Sequence, residues 1–318
     1  MNHRTLEQAF NAVFHDEILF KHFCHLNIEQ EATSFEIGNR TVFKASEKLK
    51  SYLKFIDKVI LRNLAHENGV VHSFIKGKST LTAVKSHALN KYFFLTDIRN
   101  FYENIKTDDV YKILQRDREL LPITDIERYI PHLSNIMTFQ DSVPVGFPTS
   151  PQLSNAFLYE FDKALNLFSI ERSLTYTRYA DDIIISGNNF DEIKSLLPIV
   201  QDLLKNHASP KMTLKESKTF ITKKGNKVKI LGLIVTPDGH VTIDSKYKND
   251  IETLLHFFGT NKDKYHDHLN KKFKGDERSI FGLLHYANSV DPHYIEKLQR
   301  KYGAYTLRSL MEEKSNDR

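Results

Sequence analysis

A chain of 318 residues is long enough to bury a large core and to fold as roughly one to three domains. Its charge is mildly basic, +5 with the histidines neutral, which permits contact with nucleic acid without demonstrating it. No apolar run is long enough to span a bilayer, residues 1–10 lack the apolar core of a signal segment, and the lone cysteine, Cys24, excludes an intramolecular disulfide, so a cytoplasmic protein with no membrane partner is expected.

Residues 5–30 carry apolar side chains at helical spacing, among them Phe10, Val13, Phe14, Ile18, Leu19 and Phe23, and are predicted as helix. Residues 35–43 read as a hairpin around Gly38 and Asn39, and 48–66 return to helical spacing. Residues 92–97 are an apolar strand ending on Asp97, and 99–103 open a turn or a helix. Pro144, Gly146, Pro148 and Pro151 punctuate a loop. Leu153, Ala156, Phe157 and Phe161 then mark a helix, with Ser150 as N-cap and Pro151 in the first turn. Residues 174–186 read as two apolar strands with Asp181 and Asp182 at the turn between them. Helix is predicted over 190–206, strand over 229–235 and helices over 246–318. There is no internal repeat, low-complexity tract or linker. Lysines are frequent in 44–58, 218–229 and 262–274; each run fits a solvated face as well as it fits phosphate contact.

Two adjacent aspartates repel and need a reason to share a turn. An Asp-Asp pair alone also fits a solvated turn. Asp97, at the end of its own apolar strand, supplies a third carboxylate in a similar setting. Hard Mg²⁺ prefers carboxylate oxygens. A strand-end aspartate plus a hairpin pair is the minimum set for two-metal phosphoryl transfer, in which one ion activates a 3′-hydroxyl and the other neutralises the departing pyrophosphate. No cysteine and histidine cluster has zinc spacing.

In chain order, the Asp97 strand, the loop carrying Gly146, Pro148, Ser150, Pro151 and Gln152, and Tyr179-Ala180-Asp181-Asp182 resemble motifs A, B and C of a reverse transcriptase palm. The alanine at 180 is similar to reverse transcriptases, where viral RNA-copying polymerases more often have Gly-Asp-Asp. Nearly the whole chain resembles the bacterial retron-type reverse transcriptases and related phage-defence enzymes. Arg40-Thr41-Val42-Phe43, Leu49-Lys50, Lys218-Thr219 and the segments 281–292 and 297–302 carry that resemblance. Two places depart from retrons. Their Asn-Ala-x-x-His segment is Ala83-Val84-Lys85-Ser86-His87 here, and their Val-Thr-Gly motif is Ile230-Leu231-Gly232.

The resemblance implies an α+β right-hand polymerase with fingers, an antiparallel palm sheet with helices, and a small helical thumb. Fingers would cover 1–90 with 109–143 inserted, the palm 91–108 and 144–243, and the thumb 244–318. It implies that Asp97, Asp181 and Asp182 are catalytic and, with the carbonyl of Ile98, hold two Mg²⁺ ions, for which Mn²⁺ could substitute. Arg40, Tyr102, Gly146, Pro148, Gln152 and Lys218 would meet the nucleotide, with Tyr102 as the sugar gate. Leu231, Gly232, Lys271, Lys272, Lys274 and His87 would meet primer or RNA. The implied partners are a noncoding template and primer RNA, the cDNA product, dNTPs and an effector protein encoded nearby. The implied function is RNA-directed DNA polymerisation on a dedicated RNA, in antiviral defence. A reverse transcriptase of another mobile or diversity-generating element, or a catalytically silent RNA-binding scaffold, are the competing readings.

Overall fold

The described residues of this computed structural model are 4–15, 17–38, 40–225, 227–276 and 278–312. The chain begins with α1 (Leu6–Phe14), α2 (Phe20–Cys24), α3 (Ile28–Glu31), the hairpin β1 (Ala32–Ile37) and β2 (Arg40–Ala45), α4 (Glu47–Val59) and α5 (Thr80–His87). Then come β3 (Tyr92–Asp97), α6 (Thr107–Arg116), α7 (Ile126–Ile136), α8 (Ser150–Phe157), α9 (Tyr159–Glu171), β4 (Thr175–Tyr179) and β5 (Asp182–Gly187). After α10 (Phe190–Lys194) and α11 (Leu196–His207) follow the short strands β6 (Phe220–Lys223), β7 (Val228–Ile230), β8 (Leu233–Val235) and β9 (Val241–Ile243). The chain ends in α12 (Ser245–Thr260), α13 (Lys262–Phe273), α14 (Arg278–Val290), α15 (Pro292–Tyr302) and α16 (Ala304–Glu312).

These elements form two compact units, one of Met1–Ser79 with Tyr92–Ile221 and one of Thr80–Lys91 with Thr222–Arg318. In the first unit, Phe10 of α1 meets Phe14, Phe20, Phe23, Tyr52 and Phe55 at ring separations of 4.4 to 5.8 Å. This aromatic knot is what the apolar spacing of 5–30 serves. That stretch is nevertheless three helices, not one. His15 ends α1 with φ +50, and the Asn27 side chain accepts from the Glu29 amide to start α3. The hairpin expected around Gly38 and Asn39 is present as β1 and β2, although Asn39 itself lies outside the described residues.

A four-stranded sheet runs in the order β4-β5-β3-β6, with β4, β5 and β3 wholly within the first unit. Its central strands are buried almost throughout, so they read as continuous apolar runs. Residues 190–206 break into α10 and α11. Pro198, in the first turn of α11, has no N–H to give the Lys194 carbonyl, which favours a break there. Ser150 is the first residue of α8 rather than its cap, because its hydroxyl donates to the Pro144 carbonyl at 2.6 Å.

In the second unit, β7, β8 and β9 make a three-stranded antiparallel sheet on which α5 packs. The strand predicted over 229–235 is a hairpin, turning at Leu231 and Gly232 with φ +48 and +81. Positive φ at both positions suits the right-handed twist of flanking strands. The helices α12 to α16 complete the unit. Buried Asp291 caps α15 by accepting from the Tyr294 amide at 3.0 Å, and Pro292 sits in the first turn.

Candidate active site

β3 and β5 run antiparallel with Asp97 directly opposite Asp182, and β4 pairs with β5 up to Tyr179 opposite Asp182. Only Ala180 and Asp181 separate β4 from β5, so the acidic pair occupies a tight tip. Ala180 has φ +55, whereas Asp181 has an ordinary negative φ. A turn with positive φ at its first central residue favours glycine there. Alanine in a left-handed conformation costs roughly 1–2 kcal/mol. The tip is laced to the end of β3 through the Ile98 amide, which donates to the Asp181 carbonyl at 3.1 Å. The Lys215 amide donates to the Asp97 carbonyl at 2.7 Å, and the Arg99 amide to the Thr213 carbonyl at 2.9 Å.

A cavity of about 420 Å³ opens at this end of the sheet, and Asp97, Ile98, Tyr102, Asp181 and Lys218 all line it. Thr41, Glu103, Val145 and Lys215, none of them among the predicted site residues, line it as well. Asp97 is buried, and Asp181 and Asp182 are half-buried. The Lys218 ammonium donates to Asp97 Oδ2. Burial first, and then the Asp97 charge, raise the Asp181 carboxyl above its ordinary value. Burial, with Asp181 and Asp97 next, pushes Asp182 up to about 6, against the pull of Lys218. The hydrogen bond to Asp97 raises Lys218 in turn.

These carboxylates therefore carry more negative charge than one ammonium balances. Among the described residues, no three acidic, histidine or cysteine side chains already converge around a single point. The donor set is nonetheless hard oxygen throughout, and Lys218 is paired to Asp97 alone, leaving Asp181 and Asp182 without an ion-pair partner of their own among the described residues. Both properties fit a divalent cation of the Mg²⁺ class.

Tyr102 opens a short 3₁₀ turn after β3 and is half-buried. Burial raises its phenol, the Asp181 charge adds to that, and a hydrogen bond with Ser154 opposes it, so the ring stays neutral. Gly146 has φ +107, and a Cβ there would lie 2.7 Å from the Phe43 carbonyl oxygen, so only glycine fits this approach to β2. Gln152 donates to the Phe74 carbonyl at 3.2 Å, and Pro148 is half-buried in the loop between them. Gly146, Pro148 and Gln152 do not themselves line the cavity; their neighbour Val145 does. Arg40 begins β2, and its side chain lies outside the described residues.

The remaining predicted residues belong to the second unit. Leu231 and Gly232 line a cavity of about 530 Å³ with Lys229, Tyr247, Phe273 and Tyr286. Lys271, Lys272 and Lys274 are exposed at the end of α13, with Lys271 paired to Asp267 at 2.7 Å. His87 is different. Its side chain has no exposed surface, because α5 lies against β8 and β9, and a ring so enclosed cannot itself touch RNA.

Sequence reasoning also missed a buried charge network behind the tip, formed by Arg178, Asp162 and Asn155. A signal existed. Arg178 is a charge inside a strand otherwise read as core, and a buried charge needs a partner.

The profile of the reverse transcriptase (RNA-dependent DNA polymerase) family matches residues 40–235. The retron Ec73 reverse transcriptase of Escherichia coli is 30% identical over 280 residues, covering 83% of each chain. The chain belongs to the retron-type reverse transcriptases. The retron Ec83 enzyme of Escherichia coli is 25% identical and covers 86% of each chain; the retron Ec86 enzyme is 23% identical, over 84% of this chain and 79% of its own. Among solved structures, telomerase from Candida albicans aligns with a TM-score of 0.43 at 12% identity, over 85% of this chain and 51% of that one. Membership makes the protein an RNA-directed DNA polymerase with the α+β architecture of its family. Among the described residues no helix is long and apolar enough to cross a membrane.

The raised Asp182 carboxyl gives a pH-dependent expectation. Its folded value is about 6 against an ordinary 3.8, so the folded chain holds this proton more tightly than the unfolded chain. Its contribution to stability is present in full below the ordinary value and is lost as pH rises through about 6. A divalent cation bound at Asp182 would compete with that proton. The rise in Tm caused by Mg²⁺ should therefore be larger at pH about 7.5 than at pH about 5.5. Thermal unfolding with and without Mg²⁺ at both pH values checks this, and an equal rise at both would separate Mg²⁺ binding from Asp182.

Proposed function

We propose that the protein copies a dedicated noncoding RNA into DNA by two-metal nucleotidyl transfer, in the cytoplasm, as part of antiviral defence together with an effector protein encoded nearby. One observation carries the catalytic half of this reading. The strand register sets Asp97 against Asp182, with Asp181 beside them at the tip, in a chain of the reverse transcriptase family. Divalent cations, Mg²⁺ or Mn²⁺, held by the three carboxylates and the Ile98 carbonyl would activate the primer 3′-hydroxyl and neutralise the departing pyrophosphate.

The chain's own residues do the rest by placement. Lys218, against Asp97, offers a charge or a proton to the leaving group. The neutral ring of Tyr102 closes the floor where a 2′-hydroxyl would collide. Gly146 lets backbone come close, beside Pro148 and Gln152 in the loop, and Arg40 supplies a guanidinium for the triphosphate. In the second unit, the Leu231 and Gly232 turn is assigned to the primer end. Lys271, Lys272 and Lys274 are assigned to RNA phosphates. His87 contributes only by seating α5. Fingers at 1–90 with 109–143, palm at 91–108 and 144–243, and thumb at 244–318 remain the proposed functional division.

Asp181→Asn should slow primer extension about a thousandfold, or roughly 4 kcal/mol of transition-state stabilisation, with the protein still folded. Extension at near wild-type rate would sink the assignment. Tyr102→Val should relax the preference for dNTP over NTP in single-nucleotide incorporation. Unchanged discrimination in a folded variant would give the ring another task. Expressed from its native locus with its flanking DNA, the protein should copurify with one enriched RNA, encoded beside its gene and joined to cDNA, and should lower phage plaque counts. Recovery of only heterogeneous cellular RNA, without protection, would leave a general-purpose polymerase.

A further inference from the structure

Arg178 stands two residues before the acidic tip and its side chain has no exposed surface. Its Nε donates to Asp162 Oδ1 at 2.8 Å and one terminal nitrogen to Asp162 Oδ2 at 2.5 Å, a two-pronged grip on a carboxylate that is itself fully buried in α9. The Tyr176 hydroxyl donates to the same carboxylate at 2.6 Å. The other terminal nitrogen of Arg178 donates to Asn155 Oδ1 of α8 at 3.2 Å and to the Ala180 carbonyl at 2.9 Å. Asn155 in turn donates to the Ser73 carbonyl at 3.0 Å, and the Ser73 hydroxyl donates to Asn155 Oδ1 at 3.3 Å.

Most of these bonds stay within the core. The one to Ala180 reaches the tip. That carbonyl belongs to the peptide plane preceding Asp181, and the plane following Asp181 is held by the Ile98 amide on the Asp181 carbonyl at 3.1 Å. Both planes flanking Asp181 are thus pinned, which fixes the direction in which its side chain leaves the backbone. The pinned turn is also the strained one, since Ala180 has φ +55 without being glycine.

We infer that Arg178, seated by Asp162 and Asn155, is a positioning residue that holds the Ala180 turn in its strained conformation and so aims Asp181 and Asp182. The inference rests on the reading that these two aspartates carry the chemistry. Guanidinium geometry suits the task. It grips Asp162 along one edge while its remaining N–H groups reach a different acceptor. A lysine ammonium keeps the charge opposite Asp162 but cannot span both.

The test compares Arg178→Lys with wild type in the full-length protein. Three readouts apply: thermal unfolding, the Mg²⁺ concentration giving half of the Mg²⁺-induced Tm shift without substrate, and kcat and KM for dNTP in primer extension. The expected result is a folded variant with kcat lowered about ten- to a hundredfold, as for a misplacement near 1 Å. KM for dNTP should change little, and the Mg²⁺ midpoint should rise several-fold. Adding Ala180→Gly, which lets the turn keep its shape without the clamp, should recover much of the lost kcat and restore the Mg²⁺ midpoint. A folded Arg178→Lys variant with wild-type kcat and Mg²⁺ midpoint overturns the inference, as does a loss that Ala180→Gly leaves untouched. If Arg178→Lys fails to fold, the triple variant Arg178→Met, Asp162→Leu, Tyr176→Phe removes the buried charges and polar group together. It should fold and still show the raised Mg²⁺ midpoint and lowered kcat; wild-type values there make the network a core device only. Asp181→Asn in the same assay separates the two ideas, because its activity depends on the catalytic reading whatever Arg178 does.

Discussion

The register between β3 and β5 is the constraint on which the site depends. Side chains alternate along a strand, so a slip of one residue would turn Asp97 or Asp182 to the other face of the sheet. The register is held by burial on both sides. Phe93, Phe94, Ile183, Ile184 and Ile185 are all buried, and a slip would send core side chains elsewhere along their whole length. An apolar sheet thereby stabilises a polar arrangement that resists its own formation, since burial and mutual repulsion raise the Asp181 and Asp182 carboxyls. The sheet does not relieve that repulsion; it only keeps the carboxylates from moving apart.

Two cations stand close to the tip, and they are paired differently. Lys218 is exposed and in contact with Asp97. Arg178 is enclosed and has its charge matched by Asp162, with both side chains fully buried. Taking such a pair out of water costs several kcal/mol per ion, offset only when the geometry is good and the remaining donors are satisfied. Here the guanidinium donates to Asp162, Asn155 and Ala180, which meets that condition. A hydrophobic pair of equal volume would hold α9 to β4 about as well, so stability alone does not explain the charge. The bond to the Ala180 carbonyl is what a hydrophobic pair could not supply.

The short-range parts of the site were legible in the sequence. Asp97, Asp181 and Asp182 sit at a strand end and a tight turn, where spacing and residue type carry the signal. Ile98, Tyr102 and Lys218 were named through the family resemblance, and they line the same cavity as Asp97 and Asp181. What escaped was long-range or depended on small backbone events. Arg178 finds Asp162 across 16 residues and Asn155 across 23, and no periodicity links a strand arginine to two helices. The helix read over 5–30 has the right apolar face and still breaks, because a left-handed His15 and the Asn27 cap act locally while periodicity averages over a window. The break before Pro198 was visible in principle, since proline removes a donor one turn later than the helix that loses it. His87 was assigned to RNA because the family resemblance implies it, not from its own surroundings; the packing of α5 on β8 and β9 places it inside.

The two hairpin tips share a physical feature. Ala180 and Leu231 each occupy the first central position of a two-residue turn with positive φ, and neither is glycine. Such strain persists where the surroundings over-determine it, which is characteristic of functional positions. At the first tip the surroundings are identified: Arg178 on one peptide plane and Ile98 on the next. At the second tip Gly232 takes the other positive φ without cost, so the strain is confined to Leu231. Its side chain faces a cavity lined by Tyr247, Phe273 and Tyr286 with Lys229 at its edge, a mix of aromatic surface and charge suited to a nucleic-acid strand. Glycine at 231 would relax the backbone and leave that wall open. The strain at Ala180 is therefore held by the bonds on its two flanking peptide planes, whereas the strain at Leu231 keeps a side chain that glycine lacks.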